Sequence, residues 1–160
     1  MLLNDLTYKI IGCVYDVHSQ LGPGLLESTY EVCLEYELIK AGLNVQRQKA
    51  LPVVYDDIKL DAGYRIDLLV ENKIVLELKS VDEIAPIHKA QLMTYLKLAG
   101  KKLGLLLNFN VVNMKNGVTR VIMWWSYLLY VNLWWTLSRI FTTDYSELHR
   151  FTQSISLKSN

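Results

Sequence analysis

Three charged residues stand out in two otherwise apolar stretches of the sequence. Asp67 interrupts one apolar run, and Glu77 and Lys79 alternate with leucines in the next. Neighbouring carboxylates repel each other, and a hard divalent cation that prefers oxygen ligands relieves this repulsion. A lysine beside them can orient water or stabilise charge that develops on a phosphate. The residue types therefore suit a divalent-cation site that acts on a phosphate.

The pattern predicts that these three charges lie on one face of a sheet. Side chains alternate across a strand, so Glu77 and Lys79 share a face. Residues 71–73 are predicted as a hairpin loop, and pairing about Asn72 places Asp67 opposite Glu77 on the same side. Charges buried there are costly unless they pair with each other or bind a cation. A salt bridge of Lys79 with either carboxylate is the alternative to a metal site, and the spacing alone does not choose between them.

Hydrophobic periodicity and turn residues predict the elements that position these charges. Helices are expected over 6–21, 25–41 and 87–99, and extended segments over 44–50, 52–55, 58–70 (best from Tyr64), 74–79 and 103–109. Glycines follow each helix, at Gly22, Gly42 and Gly100. The order of elements predicts an α/β domain in which a mixed central sheet is flanked by helices.

Two of the predicted helices carry polar side chains at spacings that place them on one face. Gln91 and Tyr95 are four residues apart, and Glu27, Tyr30 and Glu31 lie on one side of the second helix. A solvated polar face would explain the first pair, and a favourable interaction with the helix dipole would explain Glu27. Neither group alone indicates a catalytic site.

Taken in order along the chain, these motifs resemble the GxxExxY protein family, a branch of the PD-(D/E)xK nuclease superfamily. Residues 24–30 read G-x-x-E-x-x-Y, residues 77–79 read E-x-K, and residues 91–95 read Q-x-x-x-Y, similar to a helix of the exonuclease-like branches. The resemblance covers about residues 5 to 120, with Ile66 where the superfamily name has proline. The positions that match are Glu27, Asp67, Glu77, Lys79, Gln91 and Tyr95.

The resemblance implies a restriction-endonuclease-like core and a nuclease that depends on Mg²⁺ or Mn²⁺. Nucleic acid is the implied partner, and DNA is the expected substrate. Asp67 and Glu77 would bind the metal together with the Leu78 carbonyl, and Glu27 would be a further ligand of metal or water. The metal would activate water and polarise the phosphate.

The resemblance also implies roles for three residues outside the metal shell. Lys79 would position the attacking water and offset charge in the transition state. Gln91 and Tyr95 would hold Lys79 or a substrate phosphate. A nucleic-acid-binding or regulatory module that keeps the fold without catalysis is the alternative, because a fold does not prove an activity.

Composition and the C-terminal segment set the remaining expectations. The net charge of +1 restricts any nucleic-acid contact to a local patch, and the absence of a secretory signal favours the cytoplasm. Residues 121–138 contain no charged residue and four tryptophans, which predicts contact with a membrane, with the domain or with a second copy in a homodimer. The nuclease-like domain is expected to occupy 1–118, with an apolar and then polar extension over 119–160. A chain that ends near Gly117 is accordingly expected to fold.

Overall fold

The computed structural model of the chain describes residues 2–61 and 63–123. Within those ranges it contains three α-helices, seven strands and one 3-10 turn. In chain order they are α1 (Leu3–Leu21), α2 (Glu27–Lys40), β1 (Val45–Ala50), β2 (Val53–Tyr55), β3 (Ile58–Leu60), β4 (Arg65–Val70), β5 (Ile74–Lys79), α3 (Pro86–Ala99), β6 (Leu103–Asn108), the 3-10 turn (Met114–Asn116) and β7 (Val118–Ile122). Most of the tryptophan-rich segment, from residue 124 onward, lies outside the described residues.

A five-stranded mixed sheet forms the centre of the domain, with strand order β1-β4-β5-β6-β7. The β5–β6 pair is parallel because α3 crosses over between these strands, and the other three pairs are antiparallel. Strands β2 and β3 form a separate two-stranded hairpin. The predicted fold class, a mixed sheet flanked by helices, is confirmed.

Apolar side chains cover both faces of this sheet. On one face, which we call the α1/α2 face, residues of α1 and α2 such as Leu6, Ile10 and Leu34 pack against alternate residues of the strands. On the other, the α3 face, Leu92 and Leu96 of α3 pack against the remaining strand residues. Because β6 is covered on both sides, every one of its residues is buried.

Next to its loop the β4–β5 hairpin has the register that the sequence predicts, but the predicted pairing of Asp67 with Glu77 is not part of the ladder. Leu68 pairs with Leu76 and Val70 with Ile74, so the loop is centred on Asn72. Asn72 and its neighbour Glu71 both have a φ of +51°, and Asn44 donates its backbone N–H to the Glu71 carboxylate at 2.7 Å. A short loop between two buried strands thus determines which residues face each other.

The extended run predicted within 58–70, best from Tyr64 onward, is strand β4 (Arg65–Val70) of the main sheet, and 58–60 pair separately with β2. One detail of the predicted elements is wrong. Strand β7 has no counterpart in the prediction; it pairs antiparallel with β6, and Arg120 of this strand donates to the Asn4 side chain at 3.0 Å. A chain that ends near Gly117 would lose β7 and expose one edge of β6. We therefore expect the shortest folded chain to reach Met123, where the compact unit ends.

No helix in the described ranges is both long and apolar enough to cross a membrane. The segment for which membrane contact is predicted lies almost wholly beyond Met123, and that expectation stays a prediction.

Candidate metal centre

The ends of β4 and β5 bring Asp67, Glu77 and Lys79 together. The β4–β5 ladder ends with the pair Leu68 and Leu76. Beyond this pair, a side-chain oxygen of Asp67 takes the place of a backbone carbonyl as the hydrogen-bond acceptor on β4. Its Oδ2 accepts the Leu78 N–H at 2.8 Å. Lys79 Nζ donates to Glu77 Oε1 at 2.7 Å. The salt bridge that the sequence offered as an alternative is therefore present, beside a second carboxylate.

Glu77 is the most deeply buried charge of this group. Only 2% of the residue is exposed, and within the described ranges its Oε2 has no hydrogen-bond partner. Burial, followed by the nearby charge of Asp67, raises the pKa of Glu77 to about 7. A buried carboxylate oxygen without a donor destabilises the fold, and a bound cation would offset this cost.

The two neighbours of Glu77 have pKa values that are set by the same balance of burial and charge. Burial raises the pKa of Asp67, although the Leu78 N–H and the Lys79 charge act in the opposite direction. For Lys79, burial alone would lower the pKa, but the hydrogen bond and the charge of Glu77 outweigh it and raise the pKa. Lys79 therefore keeps its proton at neutral pH, while the carboxylates beside it are under strain from burial and repulsion.

Helix α2 adds a further carboxylate at the end of β5. Glu27 is the first residue of the helix, and its Oε1 accepts the Ser80 N–H at 3.0 Å. The Ser80 hydroxyl in turn donates to the Leu25 carbonyl at 2.6 Å. Burial is the main cause of the raised pKa values of Asp67 and Glu77, and the charge of Glu27 adds a smaller contribution in the same direction to both. In the sequence, Glu27 lies in a different element from Asp67 and Glu77. The fold brings it close enough for its charge to affect their ionisation.

A family model described as the PD-(D/E)XK nuclease superfamily matches residues 4–121. The chain belongs to the PD-(D/E)XK nuclease superfamily. No curated protein and no solved structure matches the chain. The match extends through α1 to the main part of β7, so it includes all the strands of the central sheet. Membership of this superfamily indicates a nuclease that binds nucleic acid and generally uses divalent metal ions.

The residues at the site suit such an ion in number and kind. Within the described ranges, no group of three or more His, Cys, Asp and Glu side chains is close enough to hold a metal by itself. Magnesium, however, is commonly bound by one or two carboxylates and keeps several waters. The N–H and C=O groups of one strand residue face the same neighbouring strand, so the Leu78 carbonyl points, like its N–H, towards Asp67. Asp67, Glu77 and this carbonyl form an oxygen donor set that fits a hard divalent cation.

The tyrosine of the G-x-x-E-x-x-Y motif holds the loop from which α2 begins. Tyr30 is fully buried, and its ring stacks on Phe109 with centroids 4.4 Å apart. Its hydroxyl donates to the Gly22 carbonyl at 2.7 Å and accepts the Leu25 N–H at 3.1 Å. Gly24, between these two residues, has a φ of +96°, which only glycine adopts readily. Tyr30 therefore sets where α2 starts, and with it the position of Glu27.

Two further polar residues contact the site, and neither was assigned a role from the sequence. Glu31 of α2 is only 7% exposed, and burial raises its pKa. Gln48 of β1 donates from Nε2 to Glu31 Oε2 at 2.9 Å and to Asp67 Oδ1 at 3.4 Å. The spacing of Glu31 from Glu27 was a visible signal, because residues four apart share a helix face. No local feature of the sequence marks Gln48.

A buried amide fixes the loop that follows β5. Asn108, at the end of β6, is 3% exposed. Its Oδ1 accepts the Val81 N–H at 3.1 Å, and its Nδ2 donates to the Val81 carbonyl at 2.8 Å. These two hydrogen bonds take the place of one more backbone pair between β5 and β6. They hold the loop so that Ser80 stays within hydrogen-bond distance of Glu27.

Gln91 and Tyr95 contact each other and line a cavity. Gln91 Nε2 lies 3.0 Å from the Tyr95 hydroxyl. With Tyr64 and Ile87 they line a cavity of about 510 Å³ beside α3. This cavity is on the α3 face of the sheet, the side towards which Glu77 points by alternation with the α3-face residue Val75. The sequence placed both residues correctly on one helix face, and their predicted contact with Lys79 or a phosphate stays a prediction.

Proposed function

We propose that this chain is a metal-dependent nuclease of the GxxExxY branch that hydrolyses phosphodiester bonds, with DNA as its substrate. The observation that carries the proposal is the Glu77 carboxylate, which is buried beside Asp67 with one oxygen on Lys79 and the other without a donor among the described residues. This arrangement is unfavourable for a purely structural residue. It suits a carboxylate whose second oxygen binds a cation.

Asp67, Glu77 and the Leu78 carbonyl would hold Mg²⁺ or Mn²⁺, which would supply an activated water and polarise the phosphate. In the metal-free fold Lys79 is a positive charge and a hydrogen-bond donor, because the hydrogen bond and charge of Glu77 outweigh burial and raise its pKa. Its ammonium would orient the attacking water and stabilise negative charge on the phosphate. Glu27, which the Ser80 N–H fixes at the end of β5, would bind the metal or a water.

Gln91 and Tyr95 would contact the substrate next to the metal centre. Their amide and hydroxyl open into the cavity beside α3, where a nucleic-acid chain leaving the metal centre on this face would pass. The net charge of +1 implies that contacts with the phosphate backbone are local to this face.

A non-catalytic nucleic-acid-binding module is the second candidate, and one observation favours it. The 2.7 Å bond between Lys79 and Glu77 is what a simple structural salt bridge would also produce. In that case the carboxylates would serve stability alone, and the protein would bind nucleic acid without cutting it.

A cleavage assay on one pair of lysine variants separates the two candidates. Labelled single-stranded and double-stranded DNA and RNA would be incubated with Mg²⁺, with Mn²⁺ or with a chelator. Lys79→Ala is expected to lose cleavage by on the order of 100-fold to 1000-fold, since one preorganised charge is removed. Lys73→Ala, in the exposed β4–β5 loop, is the matched control and should cut like wild type. Equal cleavage by wild type and Lys79→Ala would refute the catalytic role.

The cytoplasmic location and the contacts of residues 121–138 with a membrane or a second copy are proposals that follow from the sequence. Sedimentation of the full chain with and without detergent tests both contacts. A detergent-dependent change in mass would support the membrane, and a detergent-independent dimer would support the second copy.

A further inference from the structure

Gln48 has a backbone conformation that is unusual for its residue type. Its φ is +50° in the middle of β1, a region that residues with a Cβ adopt at a cost in free energy. On either side of it the strand is regular, because Arg47 pairs with Leu68 and Lys49 pairs with Ile66. The interruption therefore falls on one position of the β1–β4 ladder. Strain of this kind persists where the surrounding structure enforces it, often at functional sites.

The position opposite Gln48 is Asp67, where β4 changes the face to which its side chains point. Ile66 and Leu68 are two residues apart and would share a face in a regular strand. Ile66 instead packs on the α3 face, whereas Leu68 packs on the α1/α2 face. Strands β1 and β4 are thus both distorted where Gln48 lies opposite Asp67, the candidate metal ligand.

The Gln48 side chain contacts two carboxylates at once. Its Nε2 lies 2.9 Å from Glu31 Oε2 and 3.4 Å from Asp67 Oδ1, and a single amide NH₂ can donate one hydrogen to each. In a regular strand Gln48 would point away from the face that Arg47 occupies, yet both residues reach Glu31 of α2. The left-handed conformation is what directs two consecutive side chains to the same helix. A neutral amide also holds the carboxylates together without a positive charge that would compete with a cation.

We propose that Gln48 is a positioning residue of the metal centre: its amide ties Asp67 to Glu31 on α2 and so aims the Asp67 carboxylate at Glu77. The longer of the two contacts, to Asp67, should shorten when a metal binds, because catalytic hydrogen bonds commonly tighten in the loaded site. The effect on metal binding rests on the proposed function, whereas the tie itself is a property of the metal-free fold.

Two substitutions at Gln48 separate the amide from the backbone. Gln48→Ala and Gln48→Gly both remove the amide, but only glycine adopts a φ of +50° freely. Gln48→Gly should therefore melt about 2–4 °C above Gln48→Ala. Both variants should nevertheless bind Mn²⁺ about 10-fold to 100-fold more weakly than wild type in calorimetry, as is typical when a partner of a metal ligand is lost. Asn72→Gly, at a φ of +51° in the β4–β5 loop, is the control and should bind Mn²⁺ like wild type.

A measurement without metal tests the tie independently. A double-mutant cycle of Gln48→Ala with Asp67→Ala, followed by urea unfolding in chelator, should show that the two changes are not additive. Additive changes would refute the tie, whatever the metal result. Recovery of wild-type Mn²⁺ affinity by Gln48→Gly, alongside its stability, would refute the positioning role, because only the backbone would then matter. A wild type that binds no Mn²⁺ but shows the coupling would refute the proposed function and leave the tie standing.

Discussion

Glu77→Gln should stabilise the metal-free protein at alkaline pH, although it removes one partner of a salt bridge. The substitution keeps the shape of the side chain and removes its ability to ionise. In wild type, burial raises the pKa of Glu77 from 4.5 to about 7. A carboxyl group with a raised folded-state pKa favours the fold most below its unfolded pKa, and this contribution is lost as the pH rises through the folded pKa. Wild type should therefore lose stability between pH 4.5 and pH 7 through this residue.

The size of the effect follows from the same two pKa values. The difference between 4.5 and about 7, at about 1.4 kcal/mol per pH unit, corresponds to about 3 kcal/mol in the free energy of unfolding. Little screening by solvent is expected, because Glu77 is only 2% exposed. Glutamine at this position stays neutral, so the variant should be more stable than wild type by up to about 3 kcal/mol at pH 8. At pH 4 the two proteins should differ much less.

Urea unfolding in chelator at several pH values between 4 and 8 provides the measurement. Glu83→Gln is the matched control, since it neutralises an exposed glutamate in the loop after β5 and should leave the pH profile unchanged. A Glu77→Gln variant that is less stable than wild type at pH 8 would show that the bond to Lys79 outweighs the cost of burial. A difference that does not vary with pH would equally refute the reasoning.

Divalent metal should reverse the order of the two proteins. A cation bound only to the folded state stabilises it by an amount that grows with its concentration relative to the dissociation constant. Wild type should therefore gain in melting temperature from Mg²⁺ or Mn²⁺ at pH 8, and Glu77→Gln should gain little. Wild type that melts at the same temperature with and without metal would count against Glu77 as a ligand.

Three further predictions concern the framework around the site. Tyr30→Phe keeps the packing but loses both hydrogen bonds of the hydroxyl, so the free energy of unfolding should fall by about 1–3 kcal/mol. Cleavage should also fall at temperatures where the variant is fully folded, because the start of α2, and with it Glu27, is less well held. Gly104→Ala would place a Cβ 2.8 Å from a methyl group of buried Leu92 and should destabilise by about 1–3 kcal/mol in urea unfolding. A chain that ends at Met123 should give a cooperative melt, whereas one that ends at Gly117 should aggregate because it exposes the edge of β6.

The β4–β5 register could be predicted from the sequence because two apolar runs around a short loop leave little choice of pairing. A slip of one residue would turn Leu68 and Leu76 out of the core. Strand β7 could not be predicted in the same way. Its residues are at most half-buried and include Thr119 and Arg120, so no clear alternation marks it. It forms a strand because it pairs with the exposed edge of β6, and that edge exists only once the sheet has assembled.

The residues of the candidate site likewise fall into those that the sequence indicates and those that only the fold reveals. Glu27, Asp67 and Glu77 could be named as candidates because their types and order match the motif, and their role as ligands stays a prediction. The residues that support them could not be predicted. Gln48, for example, reaches the site only through a positive φ, which is unfavourable for glutamine. Glu31 was visible on the right helix face, but its burial depends on how α2 packs against β1.

The sequence left a structural salt bridge and a metal site as equal explanations of one pattern, and the number of buried carboxylates bears on the choice. A salt bridge needs one acid for Lys79, and the 2.7 Å bond to Glu77 supplies it. Burial raises the pKa values of Asp67 and Glu31 as well, so the fold buries more negative charge here than this lysine can offset. Arg47 lies 3.6 Å from Glu31 and is closer, at 2.8 Å, to Glu35. Because excess buried charge of one sign destabilises a fold unless something compensates it, this burial supports the proposal of a cation between Asp67 and Glu77.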